Sequence, residues 1–167
     1  VAAAQMGAIQ KAEGRQQVVA RMLALMDQAK EAGADFIVYP ELTLTTFFPR
    51  YFMADQSEVD SWFEAEMPNA ATQPLFQRAK ECGMAMTFGF AEMTPDGHHF
   101  NTSIHVDKDG AIVGRYRKVH LPGHDEFDPE RSFQHLEKRY FEPGDLGFPV
   151  YRTMDGIFGM CICNDRR

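Results

Sequence analysis

Residues 157–167, Ile-Phe-Gly-Met-Cys-Ile-Cys-Asn-Asp-Arg-Arg, decide how the rest of the chain is interpreted. The stretch begins with a short apolar run, which predicts a buried strand, and it ends in four polar residues. Cys163 therefore follows a predicted strand directly, at the place where α/β proteins put their chemistry. Arg166 and Arg167 come next, and a fixed positive charge nearby favours thiolate over thiol. Cys163 is thus a candidate nucleophile, although free cysteines are more often small core residues.

Earlier in the chain, the pattern predicts a strand, a helix and a second strand. Residues 1–9 are small and apolar and are compatible with a first strand. Apolar residues then recur at helical spacing until Gly33, which is typical of the position just after a helix. Residues 36–39 form a continuous apolar strand that Pro40 ends, and Glu41 follows directly. This order indicates a βαβ unit with a carboxylate at the end of its second strand.

The middle of the chain predicts helices followed by strands. Ser57 can cap a helix that runs to about Met67, and Thr72 can cap another that Gly83 ends. Turn-forming sequences then separate short apolar segments, which predict strands at residues 84–91, 100–106, 112–116 and 148–153. Residues 133–138 predict a short helix. We therefore expect an α/β fold in which helices cover one face of a mixed sheet.

Size and charge limit the possible functions. The chain has 167 residues, enough for one domain, and we predict a single domain over residues 1–167. Its net charge is −7 without a basic patch, which argues against binding to nucleic acid or to an anionic membrane. Three cysteines without disulfide spacing favour a reducing, cytoplasmic location. Because a domain rarely stops just after a buried strand, we also expect these residues to be the N-terminal part of a longer protein.

Three chemically different residues each follow a predicted strand, namely Glu41, Lys118 and Cys163. A cysteine nucleophile needs a base, and a carboxylate in a partly dry site can serve. Attack on a carbonyl places negative charge on oxygen, which an ammonium can stabilise. Each residue also has a simpler interpretation, since Glu41 could be a cap and Lys118 could belong to a solvated basic strand edge.

Longer motifs around these residues carry a family resemblance. In order and context, three blocks resemble the catalytic blocks of the nitrilase superfamily of carbon–nitrogen hydrolases: Tyr39-Pro40-Glu41-Leu42, Tyr116-Arg117-Lys118-Val119-His120-Leu121 and Cys163-Asn164-Asp165-Arg166. Flanking segments look like the amidohydrolases that act on N-carbamoyl-D-amino acids: residues 45–50, residues 121–124 and residues 133–145. The similarity covers essentially the whole sequence and only the N-terminal half or so of such an enzyme.

The resemblance implies a nitrilase-like α-β-β-α sandwich, here incomplete, whose subunits assemble into homodimers or homotetramers. It also implies that Cys163 attacks the carbamoyl carbon, that Glu41 is the general base and acid, and that Lys118 stabilises the oxyanion. Glu137 matches the family's second active-site glutamate. The remaining matches concern substrate binding: His135, Arg166 and Arg167 match positions that hold the site together and bind the substrate carboxylate, and His120 matches a further histidine of the site. An arginine fork does suit a carboxylate on chemical grounds.

Several alternatives stay open beside this interpretation. His120 and His124, with Glu126 close by, and the Cys161-x-Cys163 pair are a weak candidate metal site. Their spacing is not that of zinc ligands, so we expect no metal and no cofactor. Cys161 is expected to be a core neighbour of Cys163 on the same strand face. Another amidase or a β-ureidopropionase-like enzyme of the same superfamily is the nearest rival function. The non-enzymatic alternative is an inactive fragment or an interaction module on the same fold.

Overall fold

A computed structural model of the protein describes residues 1–166. The strands and helices follow in chain order: β1 Ala2–Ala3, α1 Arg15–Glu31, β2 Phe36–Val38, α2 Gln56–Asp60, α3 Gln73–Cys82, β3 Ala85–Met93, β4 His99–Val106, β5 Ile112–Arg117, α4 Glu137–Tyr140, β6 Val150–Thr153 and β7 Gly156–Gly159. Single 3₁₀ turns lie at Phe48–Arg50 and Cys163–Arg166. Among the described residues, no helix is both long and apolar enough to cross a lipid bilayer.

The main sheet has five strands in the order β1-β2-β3-β4-β5. Strands β1, β2 and β3 run parallel, whereas β3–β4 and β4–β5 pair antiparallel. Because β4 reverses direction once and β5 reverses it again, β2, β3 and β5 all point the same way. The carboxyl ends of β2 and β5 therefore face the same side of the molecule. The predicted mixed sheet is confirmed.

Helices α1 and α3 cover one face of this sheet. One apolar cluster joins buried residues of both helices to alternate residues of the strands, which include Met86, Phe88 and Ile104. Helix α3 has Thr72 at its N-cap and Gly83, with φ +58°, at its C-cap, as predicted. Glycine suits that end because left-handed backbone costs it no Cβ clash. Strand β1 is shorter than the prediction for residues 1–9.

A second apolar cluster packs Ala91 of β3 against residues of α2, α4 and the connecting loops. It is formed by Leu42, Phe48, Met53, Val59, Trp62, Phe63, Ala91, Leu136, Tyr140 and Phe141. The prediction of a helix from Ser57 to Met67 is wrong in both bounds, because Asp55 caps α2 by accepting the Ser57 N–H at 2.9 Å. The chain then leaves the helix, and Glu64 exchanges backbone hydrogen bonds with β3.

The hairpin of β6 and β7 lies over the other face of the sheet as a separate two-stranded sheet. Its Tyr151 hydroxyl accepts the Arg115 N–H at 3.0 Å, and the Tyr151 ring lies where a Cβ on Gly114 would stand. Phe158 stacks on His105 of β4, with ring centroids 5.7 Å apart. Residues 1–166 thus form three layers: the helices α1 and α3, the main sheet, and the β6–β7 hairpin.

The stretch from residue 157 does form a strand, β7, as predicted, but the prediction that this strand is buried is wrong. Strand β7 ends at Gly159, and Ile157 is 65% exposed. Within residues 1–166, β7 has β6 as its one hydrogen-bonded neighbour, so its outer face stays in solvent. The predicted α/β architecture, with helices on one face of a mixed sheet, is confirmed.

Candidate active site

Glu41 is placed by a close crossing of two backbones. After β2, the chain runs across β3, and the Thr43 N–H donates to the Gly89 carbonyl at 2.8 Å. A Cβ built on Gly89 would lie 3.1 Å from the Glu41 Cα and only 2.8 Å from the Leu42 nitrogen, and real Cβ atoms essentially never show the second distance. Leu42 takes φ +48°, so the chain turns sharply just after Glu41. Glycine at residue 89 is therefore what lets Glu41 lie against the middle of β3.

Backbone hydrogen bonds hold Lys118 through both its N–H and its carbonyl group. Its backbone N–H donates to the Asn101 carbonyl and its own carbonyl accepts the Gly144 N–H, both at 2.8 Å. Its side chain is 0% exposed, and Nζ donates to Glu41 Oε1 at 2.6 Å and to Glu137 Oε2 at 2.8 Å. The side chains that follow β2 and β5 thus meet, as strand direction predicts.

The charge state of Lys118 follows from its partners. Burial alone would favour the neutral amine, but the negative charges and hydrogen bonds of Glu41 and Glu137 outweigh it and raise the pKa of Lys118. The side chain of Glu137 is 2% exposed and that of Glu41 is 24% exposed. One ammonium is therefore held between two carboxylates, of which only Glu41 reaches solvent-accessible space.

Glu137 is presented by the start of α4. The Leu136 N–H donates to the Pro49 carbonyl at 2.8 Å, which anchors the turn before the helix. His135 Nε2 lies 3.1 Å from Glu137 Oε1, and the imidazole packs edge-on against Phe47 with centroids 5.5 Å apart. His135 therefore joins the network through Glu137 rather than through Lys118.

Cys163 opens the 3₁₀ turn after β7 and is exposed, with φ +47°. It lines a cavity of about 340 Å³ together with Glu41, and the walls come from β2–β4 and the hairpin. Cys161 lines the same cavity and is also exposed. The prediction that Cys161 is a core neighbour is wrong, because the strand has already ended and no second layer covers this segment within the described residues.

Asp165 organises the turn that carries Cys163. Its Oδ2 accepts the Ile162 N–H at 3.1 Å, and its Oδ1 accepts the His120 N–H at 2.8 Å and lies 3.0 Å from His120 Nδ1. Burial works against ionisation of this carboxyl, but hydrogen bonds from the Tyr116 hydroxyl, His120 and Ile162 outweigh it and lower the pKa of Asp165. His120 thus ties the cysteine turn to the segment after β5.

The remaining predicted residues lie apart from this network or outside the structure. Arg166 is exposed at the end of the 3₁₀ turn, and Arg167 lies outside the described residues. Two residues were not predicted for the site, Asn101 and Asp165. Asn101 donates to Glu41 Oε1 at 2.7 Å, and its sequence signal was a run of three polar residues inside a predicted strand. Within residues 1–166, no group of three or more His, Cys, Asp or Glu side chains is arranged to hold a metal ion.

Comparison with known proteins gives the relationship of the chain. Residues 1–167 match the Carbon-nitrogen hydrolase family. The chain is 33% identical over 146 residues to the glutamine-dependent NAD(+) synthetase of Acinetobacter baylyi. The aligned region covers 87% of this chain and 23% of that protein. It is 32% identical over 151 residues to the N-carbamoylputrescine amidase of Arabidopsis thaliana, which covers 89% of this chain and 46% of the relative.

A solved structure confirms the predicted α/β nitrilase-like fold. The carbon-nitrogen hydrolase from Helicobacter pylori G27 superposes with a TM-score of 0.74 at 24% identity, over 95% of this chain and 50% of that one, and at this identity the similarity shows the fold alone. The chain thus spans half or less of the length of these relatives. Because the family match extends over the whole sequence, the chain belongs to the Carbon-nitrogen hydrolase family.

Proposed function

We propose that this chain supplies the nucleophile, the base and the oxyanion donor of an enzyme that hydrolyses the carbamoyl C–N bond of N-carbamoyl-D-amino acids. The observation that carries the proposal is the arrangement around Glu41, whose carboxylate bonds Lys118 and lines one cavity with Cys163. A base that shares a cavity with a thiol, beside a buried ammonium, is the set of groups that acyl transfer through a thioester requires.

The reaction proceeds in two halves. Glu41 takes the thiol proton as the Cys163 sulfur attacks the carbamoyl carbon, and the carbonyl oxygen becomes an oxyanion beside Lys118. Two N–H donors of the ammonium bond Glu41 and Glu137, which leaves the third for this oxyanion. The C–N bond to the terminal nitrogen then breaks, Glu41 returns the proton to it, and ammonia leaves.

The thioester is then hydrolysed by water. Glu41 removes a proton from the water, the hydroxide adds to the carbonyl carbon, and the C–S bond breaks with return of a proton to Cys163. The product is the N-carboxy form of the amino acid, which decays to carbon dioxide and the free D-amino acid. Glu137 holds Lys118 and keeps it charged through both halves, in line with the raised pKa of Lys118.

The test of the nucleophile uses two neighbouring cysteines. Cys163→Ala should abolish turnover of an N-carbamoyl-D-amino acid and leave the circular dichroism spectrum unchanged. Cys161→Ser is the matched control, since Cys161 lines the same cavity and should retain activity. Substantial hydrolysis by the Cys163→Ala protein would overturn the assignment.

The test of the oxyanion donor and the base uses two further variants. Lys118→Ala should lower kcat by about 10²- to 10³-fold, which is the effect of removing one oxyanion donor. Glu41→Gln should cause a comparable loss, because the amide cannot carry the proton. Steady-state kinetics on natively folded variants gives both values, and a kcat within a factor of a few of the wild type contradicts the assigned role.

A second candidate is an amidase for an N-carbamoyl amine that carries no carboxylate. The 32% identity to an N-carbamoylputrescine amidase favours it, as does the engagement of His135 with Glu137 rather than with an open binding surface. The substrate panel for the native protein is an N-carbamoyl-D-amino acid, its L-isomer, N-carbamoylputrescine and a simple aliphatic amide. Selective hydrolysis of the D-carbamoyl acid supports the first proposal, and selective hydrolysis of N-carbamoylputrescine replaces it with the second.

Assembly and the carboxylate site complete the proposal. Arg166 and Arg167 would bind the substrate carboxylate, and the subunits would form a homodimer or homotetramer in the cytoplasm. Arg166→Gln and Arg167→Gln should raise KM for a carboxylate-bearing substrate more than for a neutral amide. Equal effects on both substrates would remove the arginines from the carboxylate site.

A further inference from the structure

Asn101 is a buried amide that connects two residues of the proposed site. It lies within β4, its side chain is 0% exposed, and Ala91 of β3 stands opposite it in the sheet. Its carbonyl accepts the backbone N–H of Lys118 at 2.8 Å, and its side-chain Nδ2 donates to Glu41 Oε1 at 2.7 Å. One residue of the central sheet thus fixes the main chain of the lysine and the side chain of the glutamate.

The two donors to Glu41 use the same carboxylate oxygen. Lys118 Nζ lies 2.6 Å and Asn101 Nδ2 lies 2.7 Å from Oε1. A proton that arrived on Oε1 would have to displace a donor, and a carboxyl oxygen that already accepts two hydrogen bonds is a poor site for it. Oε2 is therefore the oxygen that can accept and release a proton.

The amide has one acceptable orientation. Among the described residues, the Asn101 Oδ1 atom is buried without a hydrogen-bond partner. Exchanging Oδ1 and Nδ2 would place two acceptor oxygens face to face at Glu41, which is worse than an unpartnered oxygen because the carboxylate is charged. A buried unsatisfied acceptor costs stability, so the contact to Glu41 is the feature that accounts for an asparagine at this point of a sheet interior.

We propose that Asn101 is a positioning residue for Glu41: it holds Oε1 beside Lys118 so that Oε2 faces the cavity and exchanges protons with Cys163 and water. This inference rests on the proposed function, because it assigns a task to the base of that reaction. The inference goes beyond the proposed function in one respect: Glu41 exchanges protons through Oε2 only, because the neutral amide of Asn101, together with Lys118, occupies Oε1.

A neighbouring residue provides the matched control. Thr102 is also 0% exposed and lies next to Asn101 on β4, and its hydroxyl donates to a buried carboxylate, that of Glu92, at 2.6 Å. Glu92 bonds Arg115 and Arg117 and has no part in the proposed chemistry. Thr102→Val and Asn101→Ala therefore each remove one buried hydrogen bond to a carboxylate, and only the second bond belongs to the site.

The experiment compares pH profiles rather than activity alone. All proteins carry Cys161→Ser, so that Cys163 is the cavity cysteine under test. For each, kcat/KM on the best substrate is measured from pH 5 to 9. The rate of Cys163 alkylation by iodoacetamide is measured over the same range by mass spectrometry of the Cys163 peptide. Asn101→Ala removes a donor that stabilises the ionised base, so the base keeps its proton to higher pH. The acid limb of both profiles should move up by about one pH unit, and kcat should fall about tenfold or more. Thr102→Val should lower stability and leave both profiles in place.

The outcomes separate the two proposals. If Asn101→Ala leaves both acid limbs where they are in the wild type, the positioning role is overturned while the proposed function stands. The proposed function itself is overturned if the wild type hydrolyses no amide or carbamoyl substrate and if the alkylation rate of its Cys163 has the same pH dependence as that of an ordinary thiol. Should Asn101→Ala not fold, Asn101→Ser carries the same expectation, because its hydroxyl is too short to reach Glu41.

Discussion

Replacement of Lys118 by methionine tests the buried network without any assumption about catalysis. The methionine keeps nearly the length of the lysine, so it leaves little cavity, but it removes the charge between Glu41 and Glu137. The lysine side chain is 0% exposed and that of Glu137 is 2% exposed, so Glu137 would stay buried as an uncompensated anion. Removing one partner of such a buried pair costs about 3–5 kcal/mol of unfolding free energy. For a chain of this size, that corresponds to a fall of about 6–20 °C in Tm.

The dependence of this loss on pH distinguishes charge from packing. In the wild type the pKa of Lys118 is raised, so its contribution to stability is complete below the ordinary lysine pKa of about 10.4 and is lost as the pH rises through the folded-state value. At pH 7 the whole contribution is present. Because Lys118→Met has no such group, its difference from the wild type should shrink only as the pH rises through the folded-state pKa of Lys118.

Urea denaturation followed by circular dichroism at several pH values measures these differences. The exposed Lys138→Met is the control, and it should change the unfolding free energy by no more than about 0.5 kcal/mol. The double variant Lys118→Met, Glu137→Gln should recover part of the loss, because it removes the stranded charge. A loss below about 1 kcal/mol at pH 7, or one that does not change with pH, would refute the argument.

Three further variants test other features of the fold. Gly89→Ala places a Cβ against the Leu42 nitrogen and should lower the free energy of unfolding by about 1–3 kcal/mol in urea denaturation. Activity should fall about 100-fold, because the turn that carries the proposed base, Glu41, must move. Kinetics equal to those of the wild type would contradict the role of the close backbone crossing. Burial opposes ionisation of Glu92, but hydrogen bonds led by that from Arg117 outweigh it and lower its pKa. Its contribution is therefore present above an unfolded pKa of about 4.3 and is lost as the pH falls through the lower folded value. Glu92→Gln should then be less stable than the wild type at pH 7, and the difference should shrink as the solution is acidified through that folded value; a constant difference would argue against the ion pair. Tyr140→Phe removes a buried hydroxyl that bonds two backbone groups and should lower the free energy of unfolding by about 1–3 kcal/mol in urea denaturation; an unchanged free energy would contradict a stabilising role for those bonds.

Local rules predicted most of the main sheet and the helices that cover it. Thr72 and Gly83 bound α3 because capping and left-handed backbone depend on the residue itself. The strands β3, β4 and β5 follow from apolar segments between strong turns. The helix after Ser57 was overestimated, because packing of Trp62 and Phe63 in the second cluster decides where the chain leaves the helix. Tertiary contacts of this kind have no local signal.

The arrangement of the candidate site could be predicted only in part, for the same reason. Strand ends indicated Glu41 and Lys118, and strand direction explains why their side chains meet. Asn101 was missed because a polar residue in a strand gives no hint of which face or which partner it serves. The exposure of Ile157 was missed because apolar composition predicts burial but cannot say whether a neighbour exists to provide it.

The attachment of the β6–β7 hairpin has a consequence for how activity and structure are lost. Cys163 follows the hairpin, whereas Glu41 and Lys118 follow strands of the main sheet. Sub-global opening that lifts the hairpin would separate thiol from base while the helices and five strands persist. Inactivation by denaturant should then precede the loss of circular dichroism, so that the two transition curves do not superimpose. The alignment of the proposed nucleophile with the proposed base would thus depend on the docking of one hairpin.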